Sequence, residues 1–330
     1  MTDDKWQMAK ALVNGITITY EDGGEGEDVL VLVHGHPFNR TMWRPQVDWI
    51  AGLNRPRARA RDFEAGLALP GRYHQTEPPP QDCQPARIEH EDEDEHDYGR
   101  RPWRVIVPDL RGYGESTVVS GKTTLDVFAG DIAGLLDQLD IKRVVIGGLS
   151  MGGQIVMEFC RQYSERVRGV LLAATICRAE AQEGKQQRAA MADRLLREGM
   201  GPYAEEVLPK MVTPANLAAL PKVAEHVRTM MRSTNPIGAA AAIRGRAVRP
   251  DYAETLARID VPALVVVGDE DAFTTRADAE QMSGLLKRSE LVWMKGVGHM
   301  PNLERELEFN DALGRLLSAT RSATQIANDT

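Results

Sequence analysis

The segment GGLSMGG, residues 147–153, places one serine among four glycines directly after an apolar run. The preceding RVVIGGL predicts a buried strand and the following QIVMEFCRQY predicts a helix, so Ser150 falls in the turn between them. In such a turn a nucleophile takes a strained backbone conformation, and side chains two residues away would collide with the neighbouring strand and helix. Gly148 and Gly152 remove that collision. The pattern therefore predicts a serine nucleophile at the carboxyl edge of a sheet.

A serine hydroxyl at neutral pH is a poor nucleophile and needs a base that accepts its proton. VVVGDEDAFTT places Asp271 just past one predicted strand, and KGVGHMPNLE places His299 just past the next. Both strand ends belong to the edge that carries Ser150, and the chain order serine, aspartate, histidine is the one expected of a triad on a doubly wound sheet. We expect His299 to act as the base and Asp271 to orient it. Asp269 and Glu270 are the competing carboxylates.

The oxyanion formed by serine attack needs hydrogen-bond donors that are in place before the charge develops. VHGHPFNRTMW offers one of them, because Gly35 follows a predicted strand and lets the backbone approach the serine closely. The amide of His36 can then face the amide of Met151 across the gap. We predict that these two backbone amides form an oxyanion hole. His36 is expected to contribute its backbone, and substrate contact by its imidazole is the alternative.

Short apolar strands alternate with helical patterns around these segments. MAKALV and ITITYE flank Asn14-Gly15, which is a hairpin signal because both residues tolerate a positive φ. Further uninterrupted apolar runs favour strands buried on both faces of a parallel sheet. They cover residues 29–34, 104–109, 143–149, 169–174, 263–268 and 290–295. The sequence thus predicts an α/β fold with a mostly parallel, doubly wound eight-stranded sheet.

One long segment, about 177–257, is helical in pattern, holds no predicted strand and carries five methionines. We expect it to form a helical cap inserted between two strands, with residues 1–176 and 258–330 as the core of the fold. Methionine side chains adapt to irregular spaces, so they either line a pocket under this cap or fill its core.

Residues 54–102 pass from arginine-rich to proline-rich to acidic sequence without an apolar period. Such a composition cannot bury enough surface to offset the entropy of ordering, which predicts a largely disordered insertion. A gene-model artefact such as a retained intron is the alternative. The run HEDEDEH at 90–96 has the chemistry of metal ligands, but no scaffold fixes it, so we interpret it as a solvated acidic loop and predict no metal site.

Composition restricts the possible classes of protein. The chain has 330 residues, 42% of them hydrophobic, and a net charge of −8, which fits a substantial core and argues against a nucleic-acid surface. No run approaches the ~18 apolar residues of a membrane span, and the N-terminal sequence lacks the order of a secretory signal. Cys83, Cys160 and Cys177 have unrelated spacings, so no disulfide framework is predicted. We expect a cytoplasmic protein of undetermined oligomeric state.

Five motifs in this order resemble the α/β-hydrolase superfamily, in the branch that includes esterases, enol-lactonases, C–C hydrolases and cofactor-free perhydrolases. The motifs are HGHP, VPDLRGYGES, GLSMGG, GDEDAFT and GVGHMPNLE. The resemblance covers roughly residues 8–53 and 103–318. It implies a helical cap over the pocket and acyl-enzyme chemistry with no cofactor. The 49 residues of 54–102 depart from the family pattern, which joins the flanking elements within a few residues.

These residues together predict hydrolysis of a carboxylic ester or lactone of a small molecule through an acyl-enzyme intermediate. Cleavage of a carbon–carbon bond, thioester hydrolysis and peracid formation by the same triad stay open, as does a ligand receptor without turnover. Serine rather than aspartate at position 150 argues against epoxide hydrolase and haloalkane dehalogenase chemistry. Four arginines are candidates for binding a substrate carboxylate, the alternative being that they are solvated. They are Arg178, Arg244, Arg246 and Arg249.

Overall fold

An eight-stranded sheet forms the centre of the computed structural model, which describes residues 6–53 and 102–328. Its strands are β1 (Gln7–Val13), β2 (Ile16–Gly23), β3 (Asp28–Val33), β4 (Trp103–Pro108), β5 (Val144–Leu149), β6 (Val167–Ala173), β7 (Ala263–Gly268) and β8 (Ser289–Met294). Their order is β1-β2-β4-β3-β5-β6-β7-β8. Strand β2 is antiparallel to both neighbours, and all other pairs are parallel. The predicted mostly parallel eight-stranded sheet is confirmed.

The central strands are apolar along their whole length because both faces of the sheet are covered. Side chains alternate between the two faces, so Leu30 and Leu32 of β3 belong to one apolar cluster and Val31 and Val33 to the other. Strands β5 and β7 are buried at every position, whereas β8 at the edge is only partly buried. This burial explains why the central strands are continuous apolar runs rather than alternating patterns.

Helices cover both faces of the sheet. One face packs against α1 (Arg44–Leu53) and α12 (Glu306–Asn328), and the other packs against α2 (Leu125–Gln138), α3 (Met151–Gln162) and α10 (Arg276–Leu285). The short helix α11 (Pro301–Glu304) precedes α12. Because each parallel crossover returns the chain to the same edge, the ends of β3, β5, β7 and β8 and the loops that follow them lie together.

Between β6 and β7 the chain forms six consecutive helices, which we call the insert helices. They are α4 (Gln182–Glu198), α5 (Met200–Met211), α6 (Pro214–Ala219), α7 (Pro221–Ser233), α8 (Pro236–Arg246) and α9 (Ala253–Arg258). Helix α4 packs against α8, and α5 packs against α7. The five methionines of the predicted cap lie in this stretch, and all but the partly buried Met191 are buried.

Some sequence predictions fall outside the described residues. They are the disordered insertion over 54–102, of which only Pro102 is described, the acidic run at 90–96, and Cys83. Of the helices in the described part of the chain, none combines the length and apolar character required to cross a membrane.

Candidate active site

Ser150 lies in the turn between β5 and α3 with φ 57° and ψ −116°. A positive φ costs energy for a residue with a Cβ, and such strain persists only where the surrounding structure holds it. The Ser150 amide donates to the Ala173 carbonyl at 2.9 Å, and the Thr175 hydroxyl donates to the Ser150 carbonyl at 2.7 Å. Both bonds tie the turn to β6 and the loop after it, so the strained backbone is fixed.

The two predicted glycines lie where any side chain would meet backbone. A Cβ added to Gly148 would lie 2.3 Å from the carbonyl carbon of Gly152, and one added to Gly152 would lie 2.2 Å from the Val33 carbonyl oxygen. Both distances are far inside van der Waals contact. The glycines therefore let α3 start directly beside β3 and β5, which places Ser150 at the carboxyl edge of the sheet.

Asp271 and His299 are in direct contact. Nδ1 of His299 lies 2.9 and 3.0 Å from the two Asp271 oxygens, and the side chains are 2% and 0% exposed. Burial opposes ionisation of Asp271, but the charge and hydrogen bond of His299 and the amides of Phe273 and Thr274 outweigh burial and lower the pKa of the carboxyl. A carboxylate only accepts hydrogen bonds, so Nδ1 bears the N–H of this contact and Nε2 is the nitrogen on the opposite side of the ring.

The competing carboxylates have other positions. Asp269 accepts a hydrogen bond from the Gly296 amide at 2.7 Å, which closes the turn after β8. Glu270 is exposed. Among the three acids of GDED, Asp271 alone contacts His299, although Asp269 is only two residues away.

Ser150 Oγ and His299 Nε2 are not hydrogen-bonded to each other, and within the described residues neither atom has another hydrogen-bond partner. Both residues follow strands of the same parallel set, β5 and β8, and both are buried. Hydrogen bonds between a nucleophile and its base are often long until substrate binds and tighten only in the complex. The geometry leaves both atoms available for that contact.

The loop after β3 passes over the serine. A Cβ added to Gly35 would lie 2.8 Å from the Leu149 carbonyl and 3.2 Å from Cβ of Ser150, so only glycine permits this approach. The next amide is that of His36, and the amide of Met151 is the first of helix α3, where no intrahelical acceptor exists. Neither amide donates a hydrogen bond to another described residue. Both predicted oxyanion donors are therefore free.

Two imidazoles of this loop are buried and bound by the protein. His34 Nδ1 donates to the Gly35 carbonyl at 2.9 Å and its Nε2 accepts from the Leu110 amide at 2.9 Å, while burial lowers the pKa of its ring. His36 Nδ1 lies 2.8 Å from the Tyr113 hydroxyl. Burial, followed by the positive charge of Arg246, holds the pKa of His36 well below its usual value. Both rings are neutral and fix the loop that carries Gly35.

Glu304 is a residue of the site that sequence reasoning missed. Its Oε1 accepts hydrogen bonds from the amides of Gly298 at 3.0 Å and Met300 at 3.2 Å, which flank His299. The side chain is 3% exposed, so this carboxylate supports the histidine loop from inside the protein. A signal was present, because Glu304 closes the motif GVGHMPNLE and an acid in a buried motif needs donors.

Comparison with known proteins gives the class. The profile of the alpha/beta hydrolase family matches residues 30–312. The chain therefore belongs to this family.

Individual relatives share the fold and are named for ester and lactone chemistry. A thermophilic esterase from Thermogutta terrifontis, solved with malate bound, is 32% identical, with a TM-score of 0.77 over 95% of this chain and 99% of its own. The enol-lactonase of Burkholderia xenovorans is 25% identical, with a TM-score of 0.74 over 94% of this chain and 100% of its own. The 3-oxoadipate enol-lactonase 2 of Acinetobacter baylyi is 29% identical over 66% of this chain and 79% of its own length. This chain is accordingly a hydrolase that acts on ester or lactone bonds.

Proposed function

We propose that Ser150 is the nucleophile of this hydrolase, with His299 as its general base and Asp271 as the group that orients the base. The observation that carries the proposal is the hydrogen bond from His299 Nδ1 to Asp271, which leaves Nε2 as the nitrogen that can accept a proton, in a buried ring at the same edge of the sheet as Ser150. A base held in one tautomer at the correct edge of the sheet is what a serine nucleophile requires.

The first half of the reaction acylates the serine. Nε2 of His299 takes the hydroxyl proton while Ser150 Oγ bonds to the carbonyl carbon of an ester or lactone. The negative charge that forms on the carbonyl oxygen is bound by the amides of His36 and Met151, each worth ~3 kcal/mol in the barrier. The tetrahedral species then collapses as the C–O bond breaks, and His299 gives its proton to the leaving alkoxide.

The second half returns the enzyme to its starting state. Water gives a proton to His299 and attacks the acyl carbon, the same two amides bind the second oxyanion, and Ser150 leaves as the alkoxide and recovers its proton from His299. A carboxylic acid is released. Each group in this cycle is a side chain or amide of the chain itself, so we propose that no cofactor takes part. The substrate is a small molecule, and we propose that the insert helices cap its pocket.

The decisive experiment is covalent labelling of Ser150 by a fluorophosphonate, combined with hydrolysis of 4-nitrophenyl esters. Wild-type protein is expected to label and turn over, and Ser150→Ala is expected to lose the label and roughly 10⁴-fold or more in kcat. Ser164→Ala, at an exposed serine of the same α3–β6 region, is the matched control and retains both activities. Folded wild-type protein that fails to label would instead identify a ligand receptor on a hydrolase fold.

We propose a cytoplasmic location, supported by Cys160 and Cys177, which are buried thiols. Burial raises the pKa of Cys160 to about 12, so this thiol is unreactive at neutral pH. Absence of nucleic-acid binding remains a prediction from the net charge of −8.

A further inference from the structure

The four arginines singled out in the sequence have different surroundings. Three of them have an acidic partner: Arg178 with Asp278, Arg244 with Asp193 and Arg249 with Glu180. Arg246 forms no ion pair with any described residue. Its side chain is only partly accessible to solvent. A guanidinium that is partly withdrawn from water and has no carboxylate partner is costly unless a ligand supplies one.

Arg246 lies over the beginning of the helix that carries the nucleophile. Its Nε donates to Oε1 of Gln154 at 2.8 Å. Gln154 belongs to the first turn of α3, where its amide donates to the Ser150 carbonyl at 3.2 Å. Gln154 lies four residues after Ser150, so Arg246 contacts α3 about one helical turn beyond the serine. Its two terminal nitrogens have no hydrogen-bond partner among the described residues.

Unsatisfied nitrogens of two other side chains lie in the same region. Nε2 of Gln154 and Nε2 of His36 are both buried and have no hydrogen-bond partner in the part of the chain that the structure describes. The amide nitrogen of Gln154 is bonded to the same carbon as the oxygen that Arg246 contacts. Among charged groups, Arg246 has the largest influence on the His36 ring, which also lies 6.0 Å from the Tyr203 ring of the insert helices. Buried donors without acceptors are rare and point to an acceptor supplied from outside the chain.

The helix that carries Arg246 is fixed in position. Gly238 near the start of α8 lies against Gly112, where an added Cβ would be 2.0 Å from the Gly112 carbonyl oxygen. Near its end, a Cβ added to Gly245 would be 1.6 Å from the Thr123 carbonyl oxygen, and the Thr123 amide donates to Ala241 at 3.0 Å. Both ends of α8 therefore touch the loop after β4 through backbone. Arg246 is a preorganised group rather than a mobile surface side chain.

Arg246 lies in a region where positive side chains outnumber negative ones. Burial, and then the positive charges of Arg188 and Arg249, lower the pKa of Arg246 well below its usual value. Arg188 and Arg249 share Glu180 as their partner, so that carboxylate already serves two guanidinium groups. An arginine stays protonated in proteins, and an entering anion is the natural way to balance it.

We propose that the Arg246 guanidinium, assisted by the Gln154 amide, binds a carboxylate of the substrate, so that the preferred substrates are esters or lactones whose acyl part carries a second carboxylate. This inference rests on the proposed function, because it assigns the acyl chain to the space between Ser150 and Arg246.

The test compares the mono-4-nitrophenyl esters of adipic, pimelic and suberic acid with their methyl-capped diesters, which have the same reacting group but no negative charge. Wild-type protein is expected to favour the acid by about 10- to 100-fold in kcat/KM, the range for a hydrogen-bonded charged contact. Arg246→Gln is expected to bring that ratio close to one, and Arg246→Lys to restore part of it. Arg244→Gln, two residues away on α8 and paired with Asp193, is the matched control and keeps the wild-type ratio.

A second measurement needs no turnover and covers the case in which these esters are poor substrates. The free dicarboxylate of the best of these substrates is expected to protect Ser150 from fluorophosphonate in wild-type protein at about 10- to 100-fold lower concentration than in Arg246→Gln. Thermal unfolding of Arg246→Gln checks that the variant is folded. A wild-type ratio near one, or equal protection of the two proteins, would overturn the carboxylate site and leave the serine mechanism standing. Failure of wild-type protein to label at all would overturn the proposed function, and this inference with it.

Discussion

Glu304 connects the histidine loop to the insert helices through Thr213. Its Oε2 accepts hydrogen bonds from the Thr213 amide at 3.1 Å and from Nδ2 of Asn216 at 2.7 Å. The other oxygen of the same carboxylate binds the loop around His299. In addition, the His299 amide donates to the Met211 carbonyl at 3.0 Å. One buried carboxylate therefore fixes the loop of the proposed base to the insert helices.

Replacing Glu304 by glutamine should lower kcat more than it changes KM. The amide nitrogen of glutamine would face N–H donors that now meet a carboxylate oxygen, so the loop around His299 would shift. A displacement of about 1 Å at a catalytic group costs on the order of 100-fold in rate. We expect kcat to fall about 10- to 100-fold and the free energy of unfolding to fall by about 2–4 kcal/mol.

Steady-state kinetics and urea unfolding of Glu304→Gln measure both effects. Glu308→Gln, at an exposed glutamate of α12, provides the control and is expected to match wild type in both. Loss of stability with unchanged kcat would show that Glu304 has only a structural role.

The sequence was sufficient for features that depend on neighbours along the chain. The position of Ser150 between a strand and a helix follows from apolar runs and two glycines, and the mostly parallel sheet follows from the alternation of strands and helices. The contact between Asp271 and His299 was predictable because parallel strands end at one edge. These are consequences of periodicity and topology, which a single sequence contains.

Contacts between distant side chains were not predictable in the same way. Glu304 meets the Thr213 amide across 91 positions, and Arg246 meets Gln154 across 92. Which arginine of the insert helices lacks an acid depends on the angles at which these helices pack, and apolar spacing does not determine them. In the sequence, Arg246 is therefore one of four candidate arginines and is not distinguishable from Arg244.

Gly152→Ala should strongly destabilise the protein. The new Cβ would lie 2.2 Å from the Val33 carbonyl oxygen, and backbone cannot yield as a flexible side chain can. Overpacking of this kind typically costs 1–3 kcal/mol, and a backbone clash in the turn belongs at about the upper end of that range. Thermal unfolding followed by circular dichroism measures the loss, and esterase activity is expected to fall with it.

A matched substitution separates this clash from the general effect of replacing glycine. Gly284 lies in helix α10 with nothing within 4 Å of an added Cβ, so Gly284→Ala is expected to stabilise by about 0.5–1 kcal/mol. Equal unfolding temperatures for wild type and Gly152→Ala would contradict the packing described for the serine turn.

Tyr113→Phe tests whether the His36 ring holds the oxyanion loop in place. The substitution removes the hydroxyl that lies 2.8 Å from His36 Nδ1. Since Nε2 of this ring already has no described hydrogen-bond partner, the buried imidazole would then have none at either nitrogen. We expect a stability loss of about 1 kcal/mol and a kcat decrease of several-fold at nearly constant KM, because the proposed role of the His36 amide is to bind the transition state. Tyr163→Phe, at a partly buried tyrosine whose hydroxyl has no described hydrogen-bond partner, is the control. A Tyr113→Phe enzyme with wild-type kcat would separate the ring from catalysis.

Glu180 should make stability depend on pH in the acid range. Burial alone would raise the pKa of Glu180, but hydrogen bonds from Arg249 and Arg188 lower it from the ordinary glutamate value of 4.5 to about 2. A carboxyl whose folded pKa is depressed stabilises the protein above its unfolded pKa, and this contribution is lost as the pH falls from about 4.5 toward 2. Because the group is partly exposed, screening by solvent reduces the contribution to about 1–2 kcal/mol.

The measurement is the free energy of unfolding of wild type and Glu180→Gln across this range of pH. At pH 6 we expect the variant to be less stable by about 1–2 kcal/mol, and the gap to close as the pH approaches 2, where the wild-type carboxyl also becomes neutral. Glu165→Gln, at an exposed glutamate outside the insert helices, should follow the wild-type curve. A gap between wild type and Glu180→Gln that stays constant from pH 6 to pH 3 would mean that the Arg188 and Arg249 contacts do not depend on the charge of Glu180.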